Sequence, residues 1–291
     1  MGAFLTTLSA GLGLGCVYGL VAISYNVLYR ASGVFSFAQG QLLMLGAMGA
    51  YELTGPHHVP LILGFLVTCL GVAVVNMAVE RVAVAPVVRS TANLWVLSTL
   101  GAGLFITAIA QRVWGTVPFR VNAYIQTTHV TVFGGLIETG YLLPAIAIIV
   151  VAILLWQLEL RTRFGKAIRA LALNRFAAIR AGVPTAAYSL LAFGIGGAVA
   201  GAAGFLTAPI LYADPNAGFS IGVLAFAGWA IGGFGSNLGA AVGGLIVGVT
   251  EQMFSFYWNT MIPPIAVFVI LLVVMLVRPS GLFGALADRR V

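Results

Sequence analysis

Long stretches without a charged residue are the feature of this sequence that most limits its fold. Only 14 Lys or Arg and 7 Asp or Glu occur among 291 residues. They leave charge-free runs such as 1–29, 181–213 and 215–250. A helix rises about 1.5 Å per residue, so roughly 20 apolar residues cross the hydrocarbon core of a bilayer. The chain is therefore expected to lie in a membrane, and these runs exclude a soluble enzyme and a disordered protein.

The apolar runs are continuous, as in 145–156, and do not alternate with polar residues. Continuous runs favour membrane-spanning helices over the alternating strands of a membrane barrel. We predict an all-α polytopic membrane protein with about nine membrane segments, in a range of eight to ten. The predicted segments are 5–28, 34–54, 60–80, 94–115, 139–158, 188–208, 219–235, 237–257 and 264–277.

The basic residues predict the orientation of the chain. The connection 159–187 holds six of them, and the enrichment of Lys and Arg in cytoplasmic loops places it inside the cell. Twelve of the 14 basic residues then lie inside, and only Arg112 and Arg120 lie outside. The N-terminus is predicted to be outside and the C-terminus cytoplasmic. The net charge of +7 thus reflects topology, not a nucleic-acid partner. The cytoplasmic basic residues are Arg30, Arg81, Arg89, Arg161, Arg163, Lys166, Arg169, Arg175, Arg180, Arg278, Arg289 and Arg290.

A single transmembrane domain over 1–291 is expected, with an external loop at 116–138. Within that loop, 127–133 alternates and is rich in β-branched residues, which predicts a hairpin that ends at Gly134 and Gly135. Many glycines recur at four-residue spacing, which lets helix backbones approach closely in lipid. The segments 33–51 and 218–235 both run from Phe-Ser into Gly/Ala-rich sequence. We interpret this likeness as the trace of an inverted repeat.

The sequence contains no phosphate-binding loop, no zinc-protease motif, no CxxC motif and no serine-nucleophile motif. It also has no cluster typical of a metal site. Polar residues within the predicted segments are the remaining candidates for function. Hydrogen bonding between helices is the alternative role for each of them, and for the acid among them we favour a structural contact over a solute ligand. The candidate residues of a translocation pathway are Asn26, Ser36, Gln39, Gln41 and Glu251.

The 159–187 connection predicts one or two short amphipathic helices, which end at Gly182 and Pro184. Two roles remain open for them. They lie on anionic lipid as interfacial helices, or they insert into a groove of a partner protein.

Several motifs together resemble one family of membrane proteins. Residues 174–183 (NRFAAIRAGV) are similar to the coupling-loop motif of ABC importer permeases, with Ala177, Ala178 and Gly182 at matching positions. Phe176 stands where that family usually has Glu. Three further segments resemble the branched-chain amino acid type of these permeases, in the shorter of its two paralogous subunits. They are 36–51 (SFAQGQLLMLGAMGAY), 248–252 (GVTEQ) and 278–284 (RPSGLFG).

The resemblance implies a type II importer fold in a bacterial inner membrane. It implies a heterodimer with a paralogous second permease subunit, two cytoplasmic ATP-binding subunits and a periplasmic or extracellular solute-binding protein. The chain itself would bind no cofactor and would not be an enzyme, because ATP and magnesium would bind to the partner subunits. Residues implied to contact an ATPase subunit are Arg175, Phe176, Ala177, Ala178 and Gly182.

The expected function is import by alternating access of branched-chain or other small amino acids, or of related polar solutes. An ion-coupled secondary transporter is one alternative, and a passive channel for urea or an amide is another. An ion-coupled transporter needs acids within the membrane, for which Glu251 is the main candidate.

Overall fold

The computed structural model describes residues 2–87, 94–124, 129–132, 135–259 and 262–284. Within these ranges the chain forms eleven α-helices and one antiparallel hairpin. The elements are α1 (Gly2–Ser32), α2 (Gln39–Thr54), α3 (Leu61–Val79), α4 (Leu94–Trp114), β1 (His129–Val132), β2 (Gly135–Glu138), α5 (Leu142–Arg161), α6 (Arg163–Leu173), α7 (Arg175–Arg180), α8 (Thr185–Leu211), α9 (Ala217–Gly232), α10 (Asn237–Tyr257) and α11 (Pro263–Val277). A π-helical turn, Glu80–Val84, continues α3.

Nine of these helices coincide with the nine predicted apolar segments, which confirms the all-helical fold class. Six helical stretches among the described residues are long and apolar enough to cross a membrane. Helices α2 and α9 have 16 residues each and α11 has 15, so each falls short of the roughly 20 that a full crossing needs. The count of nine crossings is therefore not confirmed. The side of each loop also stays a prediction, and Arg89, Arg289 and Arg290 lie outside the described residues.

A hairpin is present in this loop, with His129 opposite Glu138 and Val132 opposite Gly135, but its second strand begins at Gly135, where the predicted hairpin was expected to end. Gly134 lies outside the described residues. The two cysteines, Cys16 on α1 and Cys69 on α3, are both free.

Helix α1 lies at the centre of the bundle, where every residue from 13 to 28 is buried. It packs antiparallel to α10, since Gly11 lies against Val249, Gly15 against Leu245 and Gly19 against Ala241. A Cβ atom at Gly15 would lie only 2.7 Å from the Cα of Leu245. The glycines predicted to permit close helix packing therefore do so along this interface.

Helix α8 holds the corresponding place in the other half of the chain. It packs antiparallel to α3, with Gly194 beside Met77 and Gly201 beside Val72. It also runs along α2, just as α1 runs along α9. Each long central helix thus packs on the second and third helices of the other half, which is the arrangement of two swapped repeats, α1–α4 and α8–α11.

The relative direction of the two central helices supports an inverted repeat. Phe193 belongs to the same buried cluster as Leu28, and Gly196 contacts the carbonyl of Ser24. Helices α1 and α8 are therefore antiparallel. The two segments that suggested the repeat in the sequence contain α2 and α9, which cross where Gly40 meets Gly218 and Gly222.

Candidate functional site

The 159–187 connection folds into two helices, α6 and α7, as the sequence predicted. Each begins at a side-chain cap: the Thr162 hydroxyl accepts from the Gly165 N–H at 3.1 Å, and the Asn174 carbonyl oxygen accepts from the Ala177 N–H at 3.0 Å. Such caps satisfy backbone donors that a helix start leaves unpaired. Gly182 follows α7 with a φ of +83°, a conformation that side chains other than glycine rarely adopt.

Helix α6 is anchored to the bundle. Its Ile168 and Leu171 are buried, and the ring of Phe164 packs against that of Tyr188 on α8 at 5.7 Å between centroids. Gly165 lies directly against the backbone of Glu159 at the end of α5, where no side chain would fit. The helix therefore cannot shift relative to α5 without disturbing this contact.

Helix α7, in contrast, presents apolar side chains to the outside. Phe176 is 82% exposed, and Leu173 just before the helix is 87% exposed. Ala177 is also exposed, while Ala178 is 4% exposed and faces the protein. The side chain of Arg175 lies outside the described part of the structure. Ala178 thus lies on the protein-facing side of α7, and Phe176 and Ala177 remain available to a partner.

Two glutamines at the start of α2 have polar atoms without a hydrogen-bond partner in the described part of the chain. Gln39 is fully buried, and among the described residues neither its amide nitrogen nor its amide oxygen has a hydrogen-bond partner. Gln41 is 2% exposed, and its amide oxygen likewise has none in that part of the chain. A buried polar group without a partner is unfavourable by about 1–3 kcal/mol. These amides are therefore suited to bind water or a polar solute.

The chain just before these glutamines is not helical. The Ser36 hydroxyl is buried and accepts from the Ala38 N–H at 3.3 Å, and Thr99 on α4 accepts from the Phe37 N–H at 3.3 Å. Side chains thus satisfy backbone donors in the break between α1 and α2. Within a membrane, such irregular backbone is tolerated where it is enclosed by protein or lines a cavity.

The other two pathway candidates are bonded within the protein. The carbonyl oxygen of Asn26 accepts from the indole of Trp229 at 3.1 Å and from the Gly235 N–H at 2.8 Å. The Tyr18 hydroxyl donates to Glu251 at 2.5 Å, which joins α1 to α10. The five candidates are therefore not one cluster, because the two glutamines and Ser36 lie at one end of α2 while Glu251 lies on α10.

Two acidic residues that the sequence analysis did not select as site residues have specific partners. Glu159 is bonded to Arg30, and Glu80 accepts from the Ser189 hydroxyl at 2.9 Å. Each of them lies at the end of a predicted membrane segment, and this position was the signal in the sequence that could have marked them as site residues. It could not identify Arg30 and Ser189 as their partners, because each lies more than 100 residues away from its acid in the chain.

Comparison with known proteins decides between the families that such a bundle could represent. Residues 7–278 match the family model described as the branched-chain amino acid transport system permease component. The chain belongs to this family. The resemblance drawn from its motifs is thereby confirmed, and the chain is a permease component with transmembrane helices.

Two relatives illustrate the extent of the likeness. The chain is 30% identical to the high-affinity branched-chain amino acid transport system permease protein LivH of Escherichia coli K12, over 97% of this chain and 96% of LivH. It is 27% identical to the corresponding protein BraD of Pseudomonas aeruginosa, over the same shares of the two chains.

A solved structure shares the fold. PsaBC from Streptococcus pneumoniae, determined in complex with a Fab, superposes with a TM-score of 0.51 at 12% identity. The match covers 95% of this chain and 94% of that one. At this identity the likeness concerns the fold alone, and it agrees with the type II importer-like bundle predicted from the sequence.

Proposed function

We propose that the chain is the membrane-spanning permease subunit of an ATP-driven importer for branched-chain amino acids or related small polar solutes. A paralogous permease subunit, two cytoplasmic ATP-binding subunits and an external solute-binding protein complete the transporter. The observation that carries the proposal is the surface of α7, where Phe176 and Leu173 are almost fully exposed beside a helix that the bundle holds rigidly.

This surface fits a protein groove better than a lipid surface. An interfacial helix covers its apolar side with lipid along its whole length. Helix α7 has only six residues, and its exposed apolar groups stand beside Arg180 at its end. A short helix with an apolar centre and a basic border suits a pocket with an acidic rim. Phe176, which replaces the usual Glu of the family, would fill that pocket with an aromatic ring.

The solute pathway in this proposal passes the start of α2. Among the described residues, the buried amide group of Gln39 and the buried amide oxygen of Gln41 have no hydrogen-bond partner, and neutral donors and acceptors suit the charged ends and amides of small solutes. Alternating access would expose this region first to one side and then to the other. The side chains of Asn26 and Glu251 are hydrogen-bonded to other helices in the present conformation, which supports a role for them in joining helices.

Uptake into proteoliposomes tests the proposal. The complex, purified with its co-expressed partner subunits, is expected to accumulate radiolabelled leucine, isoleucine or valine only when ATP and the solute-binding protein are present. The chain reconstituted alone is expected to take up neither these amino acids nor urea. Uptake by the chain alone would overturn the proposal. If that uptake required an ion gradient, the chain would be a secondary transporter, and if it did not, the chain would be a channel.

A substitution at Gly182 tests the contact with the ATPase subunits. Gly182→Trp is expected to lower leucine uptake per ATP hydrolysed by about tenfold, because the indole would extend from the end of α7 into the partner. A Cβ atom there meets nothing within 4 Å, so the first atom of the new side chain does not clash with the bundle.

Gly115→Trp is the matched control for backbone strain. Gly115 also has a positive φ, +87°, and open space around its Cβ position, but it follows α4 at a distant loop. Gly115→Trp is expected to retain the copurified ATPase subunits and their wild-type rate of ATP hydrolysis. An unchanged transport ratio in Gly182→Trp would contradict the assignment of α7 as the ATPase contact.

A further inference from the structure

A chain of hydrogen bonds connects the end of α5 with the turn between α9 and α10, and an ion pair at 4.0 Å links α6 to it. Glu159, at the end of α5, is bonded through one carboxylate oxygen to the guanidinium of Arg30 on α1. The same oxygen accepts from the Asn237 side-chain amide, at the first turn of α10, at 2.7 Å. The other oxygen lies 4.0 Å from the guanidinium of Arg169 on α6. One carboxylate thus contacts three helices besides its own.

The chain continues into the bundle from Asn237. Its carbonyl oxygen accepts from the Asn26 amide at 2.5 Å, and the Asn26 oxygen accepts from Trp229 and Gly235. Asn26 and Trp229 are both fully buried. The ring of Trp229 is held in turn by Tyr25, stacked at 5.9 Å, and by Phe234 at 4.6 Å.

The direction of every bond in this chain is determined by its ends. The indole of Trp229 and the backbone of Gly235 are only donors here, so the Asn26 oxygen must face them. The Asn26 amide nitrogen must then donate to the Asn237 oxygen, and the Asn237 nitrogen must donate to Glu159. A carboxylate can only accept, and Arg30 can only donate. Neither amide can therefore reverse without placing two acceptors or two donors together.

The turn at the inner end of this chain is a suitable hinge. Gly233 and Gly235 both adopt positive φ, +112° and +87°, and the Gly235 N–H is held by Asn26. A Cβ atom at Gly235 would meet nothing within 4 Å, whereas one at Gly233 would clash with the backbone nitrogen of Gly284, so the room to move is at the Gly235 end of the turn. The bond to Asn26 restrains that end in one position.

We propose that Glu159 and Asn237 are positioning residues that make the 159–187 connection and the α9–α10 turn move together during transport. The inference rests on the proposed function, since it concerns how motion at α7 reaches the bundle. Helix α6 is packed rigidly on α5, so motion of α7 and α6 displaces Glu159. In a medium of low polarity, an unpaired carboxylate or guanidinium is strongly unfavourable, so Asn237 and Arg30 follow it.

Exchanging the carboxylate of Glu159 and the amide of Asn237 tests the contact between these two residues. Asn237→Asp places two carboxylates face to face where the amide donated at 2.7 Å, and like charges at this distance repel strongly. Glu159→Gln keeps an acceptor for Arg30 and Asn237 but removes the charge. The double variant removes the repulsion, because the amide nitrogen introduced at position 159 donates to the carboxylate at position 237, Asn26 still faces an acceptor, and the site keeps one carboxylate to balance the charge of Arg30. An acidic residue at the start of α10 is also favoured by the helix dipole.

The readout is the amount of radiolabelled leucine transported per ATP hydrolysed by the reconstituted complex. Asn237→Asp is expected to lower this ratio by about tenfold and Glu159→Gln by about threefold. The double variant is expected to return to within about twofold of the wild type. Glu52→Gln is the control, since Glu52 is a half-exposed carboxylate that accepts from Trp114 far from this chain. A wild-type ratio in Asn237→Asp, or a double variant no better than its worse single, would overturn the proposal.

A second readout needs neither ATP nor solute. Spin labels at Lys166→Cys on α6 and Leu238→Cys on α10 report the distance between these helices in the full-length chain, with Cys16 and Cys69 replaced by Ala. Asn237→Asp is expected to broaden the distance distribution, and the double exchange is expected to narrow it again. If the wild-type complex shows no ATP-dependent uptake, the proposed function fails while this measurement still decides the contact. Equal distributions in all variants would overturn the inference even if uptake is ATP-driven.

Discussion

The interfaces α1–α10 and α8–α3 hold corresponding places in the two repeats, but they are built differently. Along α1–α10, glycine meets backbone: Gly15 lies against the backbone of Leu245, and Gly11 against that of Val249. Along α8–α3, the glycines of α8 also meet side chains, with Gly197 beside the Cβ of Asn76 and Gly194 beside the thioether of Met77. Backbone cannot move aside, whereas a flexible side chain can.

Polar contacts are present at both interfaces. The Asn76 amide donates to the carbonyl of Phe193 at 2.6 Å, and Ser189 donates to Glu80, so α8–α3 has two polar links. The interface α1–α10 also has two, Tyr18 with Glu251 and Asn26 with Asn237. Close backbone approach and interhelical hydrogen bonds are the two ways in which helices associate in lipid. The two interfaces therefore differ in what the glycines meet, and we expect them to respond differently to substitution of those glycines.

The largest effect is expected from Gly15→Val. The new Cβ atom would lie 2.7 Å from the Leu245 Cα atom, so the helices must separate along their whole length. We expect a loss of about 3 kcal/mol in the free energy of unfolding, as for severe overpacking. Thermal denaturation in detergent, followed by gel filtration, measures it. Gly71→Val is the control, because its Cβ position is open. Equal denaturation midpoints for Gly15→Val and Gly71→Val would contradict the prediction that a glycine against backbone tolerates a side chain less well than one beside open space.

A smaller and graded effect is expected on α8. Gly197→Ala places a Cβ atom 2.8 Å from the carbonyl of Val72, whereas Gly194→Ala meets the Met77 sulfur at 3.1 Å. We expect a loss of about 2 kcal/mol for the first variant and less than about 1 kcal/mol for the second, because the thioether can change rotamer. The same denaturation assay compares them. If Gly194→Ala is the more damaging variant, side-chain flexibility is not what distinguishes these contacts.

The smallest effect is expected from removing the polar link of α3. Asn76→Leu keeps the volume of the side chain but loses the bond to the Phe193 carbonyl. Hydrogen bonds between membrane helices contribute about 1 kcal/mol or less, so the denaturation midpoint is expected to fall only slightly. Asn122→Leu, at an exposed loop position, controls for the change in polarity. A loss as large as that of Gly15→Val would mean that the polar link, and not close packing, holds the second interface together.

The positions of the helices followed from the sequence because the charges are so few. Glu159 and Arg161 end one apolar run, and the Thr162 and Asn174 caps with Gly182 mark the short helices after it. These are local signals, which act within a few residues and need no tertiary contact. The number of crossings did not follow, because α9 is shorter than the bilayer and its depth depends on the helices around it.

The candidate site could be predicted only in part. The motif at 174–183 indicated α7, but whether Ala178 or Phe176 faces outward depends on how α6 packs against the bundle. Asn26 and Gln39 were equivalent in the sequence as polar residues in apolar surroundings. The structure separates them, because three groups bond Asn26 while the amide of Gln39 has no partner among the described residues.

By itself, the sequence determined the membrane setting, the helical fold class, the family and the position of the α6–α7 connection. Hydrophobic run length, capping residues and motif spacing are properties of neighbouring residues, so they can be read along the chain. The tertiary structure decided which glycines meet backbone, which polar groups are satisfied and how Glu159 connects α6 with Asn237. These contacts join residues that are far apart in the chain. They arise because a bundle in lipid must pack its helices closely and pair each buried polar group with whatever group the packing brings beside it.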